Sequence, residues 1–354
     1  MNSFGHVYRL TSFGESHGRA IGGVIDGMPS NQIIDLTELQ QQLDRRRPGN
    51  SPLTSARSEV DRLQLLSGVM GYDMATGTVA ELTNESTHGI TLGTPIGFMV
   101  ENRDARSSDY DYLRDVYRPS HADFTTTMRY GIRDWRGGGR SSGRETLSRV
   151  VAGAFAAQLL AKKGVTITAT IKRIGDVENP TEQQIAQTIM AARNAADSVG
   201  GVVECVVTGM PVGVGEPTFG KLQQMLAGAM LSIGGVKGFE YGMGFAGVGH
   251  RGSEMVDPFV PDGDGGVTTT TNHSGGIQGG ISNGRDIVMR VAVKPTPSLA
   301  RELVTVTAAG EPSTVLTKGR HDPCLLPRVL PVVEAMAAMV ILDAMLLRKA
   351  SEWV

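Results

Sequence analysis

Lysine is missing before Lys162, although the same stretch of this 354-residue chain holds seventeen arginines. Recognition of anions by planar, forked guanidinium groups is therefore concentrated in the first half. Cysteine is scarce as well. Cys205 and Cys324 are the only two, which argues against a disulfide framework and fits a reducing compartment. They form no metal-ligand spacing with the scattered histidines, so no metal site is expected. Net charge is only −2, so the molecule as a whole has no electrostatic reason to bind nucleic acid. The opening residues lack the apolar core of a signal peptide. The apolar run Val332–Leu347 is short and contains Glu334 and Asp343, so it reads as a buried helix, and the protein is expected in the cytoplasm without a membrane partner. Aromatics are few at 5%, whereas glycines number 46 and gather in loops beside polar residues, as in a backbone-lined ligand site.

What is present is clearest from Arg114 to Arg149. This stretch has eight arginines, one histidine (His121) and the glycines Gly137–Gly139. Arginine pairs bidentately with carboxylate or phosphate and keeps its charge when partly desolvated. Ser142 and Glu145 have the spacing of a capping box before Leu147, Val150 and Val151, which predicts a helix over roughly Arg144–Lys163. A glycine loop entering a helix N-terminus is a natural anion site. The pattern points to a pocket for a small molecule with several negative charges. RDWRGGGR also has the form of an RNA-binding RGG segment, but it occurs once and runs into a capped helix rather than repeating.

Elsewhere, His17 in GESHG is a candidate acid or base. Asp35 predicts the cap of a helix bearing Leu36, Leu39 and Leu43 and ending at Arg45-Arg46-Arg47, a triplet that exceeds what a helix dipole needs. Leu63–Gly68, Thr94–Val100, Thr166–Gly175, Val202–Gly209 and Asp286–Lys294 read as strands. Gly71–His88 reads as an exposed excursion with a small hairpin. Thr181–Asp197 reads as a helix with Ile185, Ile189 and Met190 inward, and Thr218–Ile233 as a further one. Gly242–Gly247 matches GxGxxG, but the helix that a dinucleotide fingerprint requires does not follow. Strands and helices do not alternate strictly, and no seam divides the chain. One α+β domain with largely antiparallel sheets covered by helices is expected.

Seven motifs, GESHG at 14–18, DRRRPG at 44–49, RP-x-HAD at 118–123, YGIRDWRGGGRSS-x-RE at 130–145, NH-x-GGI-x-GGIS at 272–282, KPT at 294–296 and GRHDPC at 319–324, occur together and in one order. That ordered set resembles the chorismate synthase family over essentially the whole chain. The resemblance implies a β-α-β sandwich, usually a homotetramer. It implies a lyase of the shikimate pathway to aromatic amino acids that removes phosphate and a proton from 5-enolpyruvylshikimate 3-phosphate. Reduced FMN is required without net redox change, and NADPH is a candidate electron source.

By the same resemblance His17 serves the leaving phosphate, His121 the reduced flavin, and Asp322 the ring proton. Flavin contacts fall on Arg140, Ser141, Ser142, Gly234, Gly235, Gly279, Lys294, Pro295, Thr296, Pro297, Ser298 and Arg320. Arg46, Arg118, Arg133 and Arg144 fall to the substrate, Arg46 being shared with the cofactor side. The chain departs from the family where Pro52 replaces a common arginine, with Arg57 nearby, and where Ser120 replaces a commoner glycine. The 71–88 excursion is longer than the expected connection.

Overall fold

The computed structural model describes residues 1–47, 49, 60–103, 107–263, 265–317 and 322–352. Two five-stranded sheets enclose a layer of helices. The first has the order Ser3–Phe4, Arg9–Phe13, Ala20–Asp26, Ile96–Glu101, Gln64–Leu65. The second has the order Val177–Glu178, Thr166–Ile174, Gly201–Thr208, Ile287–Val293, Val236–Tyr241. Strand pairs within both are antiparallel, which removes the parallel βαβ unit that a GxGxxG site needs. Gly244–Gly249 instead forms a 3₁₀ turn followed by a four-residue helix, Gly252–Met255. The long helices Thr146–Ala161 and Leu326–Ser351 lie between the sheets rather than over their outer faces, and one cluster of buried side chains runs through all three layers.

Helix Thr146–Ala161 touches both sheets, and the terminal helix Leu326–Ser351 lies along it. Their approach is close because Gly153 has no side chain: a Cβ there would stand 2.2 Å from the Cβ of Ala335. The terminal helix is apolar enough to cross a membrane, but 78% of its most apolar window is buried in the core. Its two acids explain themselves. Asp343 is buried and accepts from the backbone amides of His6 (2.9 Å), Val7 (2.7 Å) and Tyr8 (2.9 Å). Glu334 takes the Ala169 amide at 3.0 Å, where strand Thr166–Ile174 runs past its short neighbour Val177–Glu178, and pairs with Arg45 at 2.7 Å.

On the outer face of the second sheet, charges alternate in sign across four strands. Lys172 pairs with Glu204 (3.3 Å), Glu204 with Arg290 (3.2 Å), and Arg290 with Glu240 (2.5 Å). Cross-strand neighbours of opposite charge favour this register.

Local readings hold with three corrections. Asp35 caps Leu36–Arg46 by accepting from Thr37 and Glu38, and Leu39 and Leu43 are buried. The excursion is a hairpin of Val69–Asp73 and Thr78–Ala80, joined to Ile33–Asp35 and His88–Thr91 in a four-stranded sheet. Thr181 and Gln184 form a true capping box for Glu182–Asn194. Met190, however, is exposed, because it lies about 100° round the helix from the buried Ile189. The strand expected over Leu63–Gly68 shrinks to Gln64–Leu65. The capping box at Ser142 does not form: the Ser142 hydroxyl accepts from the Arg144 amide and caps a 3₁₀ turn, Gly143–Glu145. Glu145 is drawn instead to Arg149 one turn on, at 2.9 Å.

Candidate active site

The arginine triplet that ends the first helix divides three ways. Arg45 goes to Glu334, Arg47 to its own helix at Asp44, and Arg46 turns inward until 1% is exposed. There Asp61, itself fully buried, takes Arg46 Nη2 on Oδ2 at 2.6 Å and Arg144 Nη1 on Oδ1 at 2.8 Å. Burial alone would raise the Asp61 carboxyl, but the two guanidiniums outweigh it and hold the carboxyl below its ordinary value. Burial pulls Arg46 down to about 10, a value at which it remains charged near neutrality. One carboxylate thus serves two guanidiniums.

Arg144 carries the arrangement onward. Its Nε donates to Asn102 Oδ1 at 2.5 Å, and Asn102 Nδ2 donates to the carbonyls of Glu15 (3.1 Å) and Gly18 (2.9 Å). Those two carbonyls flank His17. The His17 ring is 6% exposed and stands edge-on to Tyr110, centroids 4.7 Å apart. Gly137 covers it, since a Cβ at that position would come within 2.5 Å of the imidazole, and its φ of +65° independently favours glycine. Next in the same loop, Gly138 lies over Arg118, whose Nη2 would be 3.5 Å from an added Cβ. Arg140 fastens the loop by donating to Ser12 Oγ (2.6 Å) and the Gly14 carbonyl (3.1 Å).

A second acid-centred cluster adjoins the first. Asp123 receives Arg118 through Nε and Nη2, both at 2.8 Å, and through the Arg118 amide at 3.0 Å. Arg133 Nη1 stands 3.8 Å from the same carboxylate, and its Nη2 donates to the carbonyls of Leu113, Arg114 and Val116. Three residues past Arg118, His121 Nδ1 lies 3.0 Å from the Pro119 carbonyl, so that nitrogen carries the proton. His121 Nε2 is then left to accept from Ser298 Oγ, also at 3.0 Å. Burial, followed by the charge of Arg118, pushes the His121 imidazole down to about 4 and keeps it neutral.

Ser298 brings in the KPTPS segment. Lys294 Nζ donates to the Ser120 carbonyl at 3.2 Å, and burial lowers its ammonium from the usual range. The Lys294 amide bonds the Gly235 carbonyl at 2.9 Å, which sets Gly234 and Gly235 alongside. Thr296 Oγ1 donates to the Asp322 carbonyl at 2.9 Å. The Asp322 carboxylate pairs with Arg328, in the first turn of the terminal helix. Arg328 Nε then reaches the Arg46 carbonyl at 3.2 Å and closes the circuit. His17, Arg118, His121, Ser298, Asp322, Arg46 and Arg144 are therefore joined by one ring of contacts.

One expected residue is not reached by these contacts among the described residues. Gly279 lies in the Ile277–Gln278/Ile281–Ser282 hairpin, and the neighbouring Gly280 carbonyl accepts from Leu222 at the start of helix Leu222–Leu231. Gly235 lies beyond the other end of that helix, about 15 Å away at 1.5 Å per residue. Arg320 lies outside the described residues, as do Pro52 and Arg57.

Sequence reading missed the acids. Asp123 lies in a quoted motif and Asp61 outside all of them, both without a role, yet buried guanidiniums require counter-charges, and that requirement was the available signal. Asp257 was also missed. It accepts from Thr271 Oγ1 (2.6 Å) and from the amides of His273 (2.8 Å) and Ser274 (2.9 Å), shaping the second glycine loop. Burial opposes these bonds, but they prevail and hold its carboxyl well below the usual range.

A two-sheet sandwich carrying buried arginines, two histidines and a carboxylate in one ring is the framework of an enzyme with a small-molecule substrate. The comparisons carry this further. The sequence profile described as chorismate synthase matches residues 8–346. A chorismate synthase of Azobacteroides pseudotrichonymphae is 48% identical over 365 residues, covering 97% of this chain and 98% of that protein. One from Gloeothece citriformis is 49% identical over 368 residues, covering 98% and 97%. A solved structure, a crystal structure of chorismate synthase, superposes with a TM-score of 0.73 at 26% identity and covers 98% of this chain and 93% of that one. The chain belongs to the chorismate synthase family, whose members are carbon–oxygen lyases.

Proposed function

We propose that the chain removes phosphate and a proton from 5-enolpyruvylshikimate 3-phosphate in an anti-1,4-elimination that yields chorismate, using reduced FMN without net redox change. The observation that carries this reading is the closed ring of contacts, which sets two histidines and a carboxylate among four arginines. The substrate bears two carboxylates and a phosphate. Each charge-assisted bond to a guanidinium contributes roughly 1.5–3 kcal/mol, enough for a few to offset the repulsion of gathering like charges.

The residues on the His121 side suit FMN. A neutral imidazole, the Ser298 hydroxyl and the Lys294 ammonium offer hydrogen bonds for a heteroaromatic ring and a cation for its phosphate. Gly234 has open space where a side chain would stand. Arg140, Ser141, Ser142 and the Lys294–Ser298 segment would hold the group, with Arg320 and, on the cofactor side of the cleft, Arg46. Gly279 likewise has open space where a side chain would stand and would extend the set. When bound, reduced FMN supplies electron density to the substrate ring as phosphate departs.

The chain's own groups handle the protons. His17, roofed by Gly137, donates to the leaving phosphate. The Asp322 carboxylate, oriented by Arg328, takes the ring proton. His121 enters the cycle neutral, and an anion placed against it would draw its proton affinity upward. Each such group contributes roughly 10²–10⁴ in rate. NADPH is the proposed electron source where no external reductase is present, and the working unit is proposed to be a homotetramer in the cytoplasm.

Anaerobic incubation with reduced FMN and the substrate is expected to raise the absorbance of chorismate, and omission of the flavin to abolish it. Flat absorbance with both present would overturn the reading. Repeating the assay with oxidised FMN and NADPH tests the electron source, and light scattering tests the subunit number.

A further inference from the structure

Asp61 belongs to no motif that identified the family, yet it is the fully buried centre of the first arginine cluster. Its two oxygens hold two different guanidiniums, Arg46 at 2.6 Å and Arg144 at 2.8 Å, and so fix their separation. Each arginine adjoins a proposed reacting group by one further residue, Arg144 through its guanidinium and Arg46 through its backbone carbonyl. Arg144 reaches the His17 loop through Asn102, and the Arg46 carbonyl reaches Asp322 through Arg328. Without a carboxylate between them, two buried like charges would separate and lose their fixed spacing. Arg46 Nε, meanwhile, is buried without a hydrogen-bond partner among the described residues, so the cluster retains donor capacity for an arriving anion.

We infer that Asp61 is a positioning residue, which holds Arg46 and Arg144 at the spacing that receives the anionic groups of the substrate. The inference rests on the functional reading above. Asp61 touches neither substrate nor flavin, and it acts on affinity for the polyanion rather than on proton transfer or flavin binding. A residue needed only to neutralise charge in the core would instead tolerate any carboxylate of suitable length.

The test uses the full chain as wild type, Asp61→Glu and Asp61→Asn. Glutamate keeps the charge and moves it by one methylene, so it is the variant to rely on if Asp61→Asn does not fold. In Asp61→Glu the KM for 5-enolpyruvylshikimate 3-phosphate is expected to rise roughly tenfold, the loss of about one well-made charged hydrogen bond. Turnover number should stay within about threefold and reduced-FMN affinity within about twofold. A KM near wild type in Asp61→Glu would overturn the inference. Parallel decline of KM, kcat, flavin affinity and Tm would also overturn it, as the mark of a purely structural role. Inorganic phosphate gives a readout free of turnover: it is expected to raise the Tm of the wild type and to do so less in Asp61→Glu, and equal shifts would count against positioning. A wild type that forms no chorismate sinks the functional reading, while the phosphate comparison still decides the role of Asp61.

Discussion

The two acid-centred clusters use the same chemistry to different ends. Asp123 holds Arg118 from five residues away, and neighbouring Arg133 commits its Nη2 to three nearby carbonyls. That is a local device which folds one loop onto itself. Asp61 gathers Arg46 and Arg144 from 15 and 83 residues away. Where the first cluster's arginine fork is filled bidentately, the second divides one carboxylate between two cations. Each cluster keeps one buried guanidinium nitrogen without a hydrogen-bond partner among the described residues, Arg133 Nη1 beside Asp123 and Arg46 Nε beside Asp61, and there an incoming anion finds donor capacity. The difference teaches that counting arginines in a cleft says less than asking which of their donors already have acceptors.

The largest expected effects test whether each cluster serves chemistry. His17→Ala and Asp322→Ala, which hang from the Asp61 cluster, should lower turnover by at least about tenfold and up to about 10²–10⁴-fold while FMN still binds. His121→Ala, which hangs from the Asp123 cluster, should do the same. Anaerobic turnover assays with flavin titrations check all three. Wild-type turnover in His121→Ala alone would reduce the Asp123 cluster to scaffold and sharpen the contrast.

The arginines separate next. Arg144→Ala should raise the substrate KM by about 10–100-fold. Arg133→Ala should also lower stability by about 3–5 kcal/mol, since carbonyls and a buried carboxylate lose their partner, and raise the KM of folded enzyme less than Arg144→Ala does. Steady-state kinetics beside denaturant unfolding read the two, and a reversal of the pattern would break the comparison.

A pH effect follows from His121. Its folded pKa, about 4, lies below the unfolded value near 6.5, so its neutral form stabilises the fold above that unfolded value. The contribution falls away as pH drops from about 6.5 through about 4, by at most about 3 kcal/mol. Unfolding curves of wild type and His121→Gln across that window should converge at the acid end, and parallel curves would count against it. Last and smallest, Gly137→Ala places a methyl against His17 at a positive φ and should cost about 1–3 kcal/mol, with a matching loss of turnover.

Most of the fold was legible because its elements are marked locally. Asp35 and Thr181 announce their helices through side-chain acceptors, and alternation announces Ile287–Val293. Ser142 misled for a physical reason, because Glu145 had a better partner in Arg149 than in the backbone behind it. At the site, His17, His121, Asp322 and the arginines were visible as residue types in recognisable order. What spacing could not reveal was which guanidiniums are already matched. The partners of Arg46 and Arg144 come from segments that only the folded chain brings together.

The tether at Asp343 has a bearing on biosynthesis. The carboxylate that receives the amides of residues 6–8 is polymerised some 335 residues after them. While the ribosome is still at work, the opening strands have neither that anchor nor the long helix that covers them, and Arg328 has not yet reached its aspartate. Competence should then arrive in a single late event, and nascent chains halted short of that helix should be inert clients for chaperones rather than partly active enzymes.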